Sequence, residues 1–83
     1  MRELIISDGF REALEKLDGH HQEVVLKRID KIRLMPELGK PLHAPLTNHF
    51  SERVEKYRII YTFNPEQVIF VYLDHRGKVY GKI

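Results

Sequence analysis

Hydrophobic residues are densest in two adjoining segments, residues 54–63 and 68–76, which are both rich in β-branched and aromatic side chains. Such residues favour strands, and the intervening residues 64–67, Asn-Pro-Glu-Gln, have the chemistry of a tight turn. The pattern therefore predicts an antiparallel β-hairpin, around which the rest of the chain is organised.

A four-residue loop in this hairpin pairs Phe63 with Val68 and, further along, Arg58 with Leu73. Because strand side chains alternate, the hairpin has two faces. The face expected to form the floor of the core carries Tyr57, Ile59, Tyr61, Phe63, Val68, Phe70 and Tyr72. The other face is apolar at one end and cationic at the other, and carries Arg58, Ile60, Thr62, Ile69, Val71, Leu73 and His75.

A third strand is expected just before the hairpin, at residues 50–54. A tight turn at Glu55 and Lys56 sets Arg53 directly opposite Arg58 on the neighbouring strand. Like charges that face each other across strands are mildly destabilising. The two arginines therefore either splay into water or are kept to bind an anion.

The N-terminal half of the chain predicts a short strand followed by two helices. The apolar run at residues 4–6 is expected to form the strand, and Asp8 is expected to cap the helix that follows. The first helix carries apolar residues at helical spacing, namely Phe10, Ala13, Leu14 and Leu17. The second, from His20 to Met35, has an apolar stripe of Val25, Ile29 and Ile32, widened by Val24, Leu26 and Met35.

The segment after the second helix is expected to be irregular, because Pro36 ends the helix and Pro41 and Pro45 disfavour regular structure. The leucines expected to hold this segment against the core are Leu38, Leu42 and Leu46. These elements predict an α+β fold: a short N-terminal strand, an antiparallel helical hairpin, and a three-stranded antiparallel meander with the helices on one face. We expect one domain that spans residues 1–83.

Composition adds a few limits to this picture. The 83 residues are 42% hydrophobic and 31% charged, and the formal net charge is +2. No apolar run approaches the roughly 20 residues of a membrane-spanning helix and no signal peptide is recognisable, so we expect a cytoplasmic protein without membrane contact. The absence of cysteine excludes thiol catalysis and a cysteine-based zinc site. Residues 51–83 hold six basic against four acidic residues, a weak indication of an anionic partner.

Five histidines raise the question of a metal site. His20 and His21 are adjacent on a predicted helix and are expected to point different ways, while His43 and His49 lie in the linker region. We therefore predict no metal site and no cofactor. His75 is the exception, because an imidazole at a cationic strand end is suited to acid or base chemistry.

Three fragments of the sequence follow one another in an informative order. They are Gly39-Lys40-Pro41-Leu42, then Arg53-Val54-Glu55-Lys56-Tyr57-Arg58-Ile59-Ile60-Tyr61, then His75-Arg76-Gly77-Lys78-Val79-Tyr80. The second is similar to the R-V-G-x-Y-R-I-I-Y run, and the third to the H-R-x-x-V-Y close, of the RelE/ParE toxin superfamily of toxin-antitoxin systems. With the matching order of predicted elements, the resemblance covers nearly the whole chain.

The resemblance implies a small toxin that a cognate antitoxin neutralises. In the RelE branch it implies an mRNA interferase, an endoribonuclease that cuts mRNA on the ribosome without metal and so inhibits translation. In the ParE branch it implies an inhibitor of DNA gyrase without nuclease chemistry. A degenerate, non-toxic member of the superfamily is the third possibility.

RelE-type cleavage resembles metal-free RNase chemistry, in which a 2′-hydroxyl attacks the adjacent phosphate. The reaction needs a proton acceptor, cations that stabilise the phosphorane, and a donor for the leaving oxygen. The resemblance makes Arg58 the phosphate clamp and Arg53 a second cation. It gives Arg76 a contact with the phosphate or leaving group, and gives Tyr80 base stacking or proton transfer.

Three further residues extend this candidate site. His75 is a second choice for acid or base catalysis, and Lys56 and Lys78 are expected to contact RNA. Strict alternation sends Arg76 to the face opposite Arg58, so the two arginines converge within about 10 Å only if the last strand is irregular between Asp74 and Lys78.

The chain also departs from the pattern of the superfamily. Ser51, next to Glu52, stands where a basic residue is frequent, Glu55 replaces the turn glycine, and no C-terminal helix is predicted. A purely structural interpretation also stays open, in which Arg58 and Arg76 are surface cations or pair with Asp74 and Glu52.

Overall fold

A computed structural model describes residues 2–75 of the chain. The elements, in order, are β1 (Glu3–Ile6), α1 (Asp8–Glu15), α2 (Gly19–Leu34), a 3-10 turn (Pro36–Leu38), β2 (Lys40–Pro41), β3 (His49–Val54), β4 (Tyr57–Phe63) and β5 (Gln67–His75). No helix within residues 2–75 is both long and apolar enough to cross a membrane.

The strands form one five-stranded sheet in the order β1-β5-β4-β3-β2. Strands β3, β4 and β5 form the predicted antiparallel meander, and β1 runs parallel to β5. The α+β fold with both helices packed on one face is confirmed. The pairing of Lys40 and Pro41 with β3 was not predicted. Pro41 is tolerated there because β2 is an edge strand, where a missing N–H breaks no central ladder.

Both helices begin at residues whose side chains accept a backbone N–H. Ser7 caps α1, since its Oγ accepts from the Phe10 amide at 3.1 Å. The prediction that Asp8 is the cap is wrong, because Asp8 is the first helical residue. Asp18 caps α2, where its Oδ1 accepts from the His21 amide at 2.9 Å.

The main core lies between the helices and one face of the sheet. Its buried members are Phe10, Val25, Ile29, Ile32, Val54, Tyr57, Ile59, Tyr61, Val68, Phe70 and Leu73. Most of them were predicted from periodicity. Leu26, Met35 and Leu38 were expected to be covered, yet all three are exposed. The stripe of α2 that faces the sheet is narrower than the hydrophobic pattern and leaves Leu26 outside it, while Met35 and Leu38 lie beyond the last residue of α2.

A β-bulge in β5 changes the register of the hairpin. Phe63 pairs with Val68 and Tyr61 with Phe70, as predicted, but the ladder shifts next to Ile60. One extra residue, Val71, therefore stands on β5. The Val71 carbonyl accepts from the Ser7 hydroxyl at 3.0 Å, so a side chain at the end of β1 satisfies the bulged backbone.

The bulge reverses the two faces of β5 beyond Val71. Tyr72 was predicted to lie on the core face, with Leu73 and His75 on the other. The structure places them the opposite way, since Ile59 pairs with Leu73, and Arg58 pairs with Asp74. These three assignments are wrong because they assumed unbroken alternation. The prediction of an irregularity between Asp74 and Lys78 falls mostly on residues outside the described range, and the bulge at Val71 removes the argument that required it.

A second, smaller cluster covers the apolar end of the opposite face. Leu46 and Ile60 are buried there, with Leu42 and Tyr72 packed against them. The prediction that Leu42 and Leu46 hold the linker against the protein is confirmed. They pack on the side of the sheet away from the helices, and Arg53 at the other end of that face stays exposed.

Tyr61 joins the sheet to the turn after α2. Its side chain is fully buried, and its hydroxyl donates to the Pro36 carbonyl at 2.6 Å. Burial raises the pKa of the Tyr61 phenol well above its usual value, and the nearby Glu52 carboxylate adds to the effect. The buried, neutral phenol of Tyr61 therefore makes the stability of the fold depend on pH. Because the phenol of the unfolded chain ionises at lower pH than that of the folded protein, its full contribution to stability is present below about pH 10 and is lost as the pH rises further.

Gly39 is the residue that permits this approach. A Cβ at position 39 would overlap the Tyr61 hydroxyl oxygen, and would lie 2.9 Å from Tyr61 Cζ and 3.2 Å from Phe50 Cβ. A glycine is therefore required in the first of the three fragments for steric reasons.

We expect Gly39→Ala to destabilise the fold by about 1–3 kcal/mol, because the added methyl group has no space beside the Tyr61 ring. Thermal melting should show a midpoint at least about 4 °C lower than that of the wild type. Gly9→Ala is the matched control, because a Cβ there meets nothing within 4 Å and alanine favours the helix. Equal midpoints for Gly39→Ala and wild type would refute the steric argument.

Candidate functional site

Two arginines face each other where β3 turns into β4. Arg53 pairs with Arg58, and Val54 with Tyr57, so the predicted register of this turn is confirmed. Glu55 within the turn has a φ of 55°, in the left-handed region that favours glycine. Glycine adopts this conformation without strain, which is consistent with the glycine in the superfamily run that the second fragment resembles.

The arginines lie in a groove of about 390 Å³ where α2, the 3-10 turn and strands β2, β3 and β4 meet. It is lined by Lys31, Leu38, Lys40, Ser51, Glu52, Arg53 and Arg58, and we call it the basic groove. Among the described residues that line it, four side chains are basic and one is acidic. A concave surface with this charge balance attracts anions.

The one acidic residue of the basic groove is held by a cation outside it. Arg28 Nη1 lies 2.8 Å from Glu52 Oε1 and also donates to the Arg53 carbonyl at 3.0 Å. Arg28 therefore offsets the Glu52 charge and fastens α2 to the backbone beneath Arg53. Sequence analysis missed Arg28, because its partners lie more than twenty positions away and no local pattern indicates them.

Two lysines of the basic groove were also missed. The sequence pattern gave Lys31 no role, and Lys40 belongs to the first of the three fragments but had no role of its own. Lys40 pairs with Ser51 across the β2–β3 ladder, a contact that depends on the unpredicted edge strand. Only the fold brings these lysines to the arginines.

Arg58 has an acidic neighbour on its other side. Asp74 on β5 stands directly opposite it, and both side chains are half-buried. Opposite charges at facing positions of adjacent strands attract, so this pairing favours a cation at position 58. The prediction that Leu73 faces Arg58 is wrong, because the extra residue at Val71 shifts the register by one position.

The structure does not bring His75 to the arginines. Its side chain is exposed on the helix-facing side of the sheet, with its ring centroid 5.1 Å from that of Tyr57. Lys56 is exposed in the β3–β4 turn, with Nζ 5.7 Å from the Tyr57 ring centroid. Arg76, Lys78 and Tyr80 lie outside the described residues.

The prediction that His20 and His21 point different ways is wrong. The Nε2 atoms of both rings approach the Glu55 carboxylate, His20 at 3.4 Å and His21 at 3.3 Å. The helix places the centroids of the two rings 5.1 Å apart, and the β3–β4 turn supplies the Glu55 carboxylate. Sequence spacing alone does not reveal this arrangement.

Comparison with protein families gives one match over most of the chain. The model for the ParE toxin of the type II toxin-antitoxin system parDE matches residues 4–80. A search of curated proteins finds no significant match.

Several solved structures share the fold. A chain of the RelBE2 toxin-antitoxin complex from Mycobacterium tuberculosis is 26% identical with a TM-score of 0.80, covering 90% of this chain and 98% of its own. A chain of the intact E. coli RelBE complex is 16% identical with a TM-score of 0.75, covering 90% and 96%. YafQ from E. coli is 16% identical with a TM-score of 0.70, covering 93% and 96%. At the two lower identities the likeness is one of fold.

Proposed function

The chain belongs to the ParE toxin family of type II toxin-antitoxin systems, and we propose that it acts as a ribosome-dependent mRNA endoribonuclease that inhibits translation. One observation carries the proposal: Arg53 and Arg58 stand opposite each other in a groove that also holds Lys31 and Lys40. A chain that places like charges side by side accepts a cost that a bound phosphate removes.

The reaction that fits such a groove is attack of a ribose 2′-oxygen on the adjacent phosphorus. A bond forms between the 2′-oxygen and phosphorus and the bond from phosphorus to the 5′-oxygen breaks, which leaves a cyclic phosphate and a 5′-hydroxyl. The 2′-hydroxyl loses a proton and the leaving oxygen gains one. Between these events the phosphorane carries extra negative charge, which fixed cations stabilise.

Arg58 is the residue best placed to hold that charge. It is half-buried in the basic groove, opposite Arg53 on one neighbouring strand and Asp74 on the other. A guanidinium there can donate two hydrogen bonds to one phosphate. Arg53 is exposed and provides the second cation. By resemblance, Arg76 contacts the phosphate or leaving group, and Tyr80 stacks on a base or transfers a proton.

Three outer residues complete the proposal. Lys56, exposed in the β3–β4 turn, and Lys78 contact the RNA backbone, and His75 is a second choice for proton transfer. His75 reaches a substrate only if the RNA passes around the end of β5, because the sheet separates it from the arginines.

Lys40 compensates for one departure from the superfamily pattern. Ser51 stands where a basic residue is frequent, and Lys40 lies directly across the β2–β3 ladder from it, in the same groove. Lys40, on the neighbouring strand, thus supplies a positive charge next to the position where the superfamily frequently has a basic residue. Arg28 offsets the acidic residue next to Ser51, since it binds the Glu52 carboxylate.

We also propose a cognate antitoxin as the partner, because the two RelBE structures are toxin-antitoxin complexes. Three exposed apolar side chains lie together in sequence where α2 ends: Leu34, Met35 and Leu38 are 62%, 46% and 61% exposed. Leu38 also lines the basic groove. A partner that covers this apolar surface would therefore also restrict access to the groove.

The alternative is gyrase inhibition without nuclease chemistry, which the name of the matching family model favours. In that case the basic groove binds protein instead of RNA. A degenerate, non-toxic member is the third possibility, which the acidic residues Glu52 and Glu55 favour.

Induction of the chain in a bacterial host distinguishes these functions. We expect growth arrest with mRNA cut at defined sites, visible by primer extension, and no DNA damage response. Arrest with intact mRNA and an induced damage response would refute the nuclease and support gyrase inhibition. Unimpaired growth at confirmed expression would support the non-toxic alternative.

A further inference from the structure

A cluster of metal-binding side chains lies apart from the basic groove, where the beginning of α2 meets the β3–β4 turn. His20, His21 and Glu55 each offer one ligand atom, and these atoms all lie within 4.8 Å of one another. The His21 side chain is 19% exposed, His20 is 68% exposed and Glu55 is 43% exposed. The cluster is open to an ion from solvent, and its inner histidine is fixed against the protein.

Asp18 determines which nitrogen of His21 carries the proton. Asp18 Oδ1 lies 2.8 Å from His21 Nδ1 and also accepts from the His21 backbone amide. An ionised carboxylate only accepts, so Nδ1 is the donor and the lone pair of a neutral His21 is on Nε2.

That lone pair points at another acceptor. His21 Nε2 lies 3.3 Å from Glu55 Oε1, and a lone pair facing a carboxylate oxygen is repulsive unless a proton or a metal ion lies between them. The arrangement in which one imidazole nitrogen is bound by a carboxylate and the other is free is the one that metal-bound histidines adopt.

Two of the separations are close to those of a zinc site. Nitrogen and oxygen ligands bonded to Zn²⁺ at about 2.0–2.1 Å in a tetrahedron are about 3.3 Å apart. His20 Nε2 lies 3.4 Å from Glu55 Oε2 and His21 Nε2 lies 3.3 Å from Glu55 Oε1. With one ligand atom taken from each residue, all separations are within 4.8 Å, so the side chains would have to move closer together around the ion. We propose that His20, His21 and Glu55 bind one zinc ion, with water at the fourth position and Asp18 as the positioning residue for His21.

The site would tie the two segments together next to the arginines. Glu55 lies in the turn between Arg53 and Arg58, and His20 and His21 lie in the first turn of α2. A bound ion would fix this turn in its left-handed conformation and neutralise the Glu55 carboxylate. The proposal does not depend on nuclease activity, because the ion sits outside the basic groove.

Calorimetric titration of Zn²⁺ into the chelator-treated full chain tests the site. We expect one zinc ion per chain, an absorption spectrum of tetrahedral cobalt when Co²⁺ replaces zinc, and a higher melting temperature with zinc. Glu55→Gly should bind zinc at least about tenfold more weakly. This variant keeps the fold, because glycine suits the φ of 55° at that position.

Two further variants separate this site from general zinc binding. His43→Ala removes an exposed histidine of the linker and should leave the zinc affinity unchanged. Asp18→Ser keeps a helix cap but removes the carboxylate, and should lower the affinity for zinc by about 10–100-fold. Failure of the wild type to bind one zinc ion, or equal affinity in wild type and Glu55→Gly, would overturn the proposal. The first result would mean that the cluster is held by hydrogen bonds alone, and the second that the ion binds elsewhere.

Discussion

Tyr61→Ala is expected to lower the free energy of unfolding by about 3–5 kcal/mol, as truncation of a fully buried aromatic ring does. Tyr61 has no exposed surface. Its ring stacks on Phe50 and packs at a tilt against Phe70, and its hydroxyl donates a hydrogen bond to the Pro36 carbonyl. Domains of this size are stable by only about 5–15 kcal/mol. Circular dichroism should therefore show a melting temperature at least about 12 °C lower, or no cooperative transition.

Tyr61→Phe serves as the control for this experiment. It keeps the ring but leaves the Pro36 carbonyl without its donor, which should cost about 1–3 kcal/mol. The difference between the two variants separates ring packing from the hydrogen bond. An alanine variant as stable as the wild type would mean that Tyr61 does not join the sheet to the turn after α2.

Arg58→Ala is expected to reduce RNA cleavage by about 10²–10³-fold, the effect of removing one group that stabilises transition-state charge. Stability should change by about 1 kcal/mol or less, since Arg58 is only half-buried. The measurement is the rate of mRNA cleavage by purified variant and wild type at equal concentration, with thermal melting of both.

Arg11→Ala is the matched control, because it removes an equal charge from α1, where Arg11 is 60% exposed and 4.0 Å from Asp8. Arg58→Lys adds a second comparison, since lysine keeps the charge but loses the planar fork that binds a phosphate through two hydrogen bonds. Full toxicity and cleavage in Arg58→Ala would leave the assignment of this site without support.

Local patterns were sufficient to predict the turns and the register close to them. Asn64 forms the predicted turn, where its side-chain oxygen accepts from the Glu66 and Gln67 amides at 2.8 Å. The pairing of Phe63 with Val68, and of Arg53 with Arg58, follows directly from turn length. Short-range chemistry determines both features, so the sequence alone contains the necessary information.

The bulge at Val71 could not be predicted in this way. It is stabilised by the Ser7 hydroxyl, a partner 64 positions away that reaches β5 only because β1 lies beside it. Alternation counted past such a point is wrong by one residue. This single shift explains the errors for Tyr72, Leu73 and His75.

The same distinction applies to the candidate site. The pair of arginines was predictable from one turn, whereas Arg28, Lys31 and Lys40 join it only through packing of α2 and pairing of β2. The cluster of His20, His21 and Glu55 also depends on contacts between distant segments. Residues that a helix and a strand bring together carry no common signal in the sequence.

Cleavage of a defined mRNA on purified ribosomes tests the central claim most directly. The chain should be incubated with the message in the presence and absence of ribosomes, with gyrase supercoiling assayed in parallel. We predict cuts at discrete positions only when ribosomes are present, loss of those cuts with Arg58→Ala, and unaffected gyrase. Intact mRNA on ribosomes together with inhibited supercoiling would contradict the account.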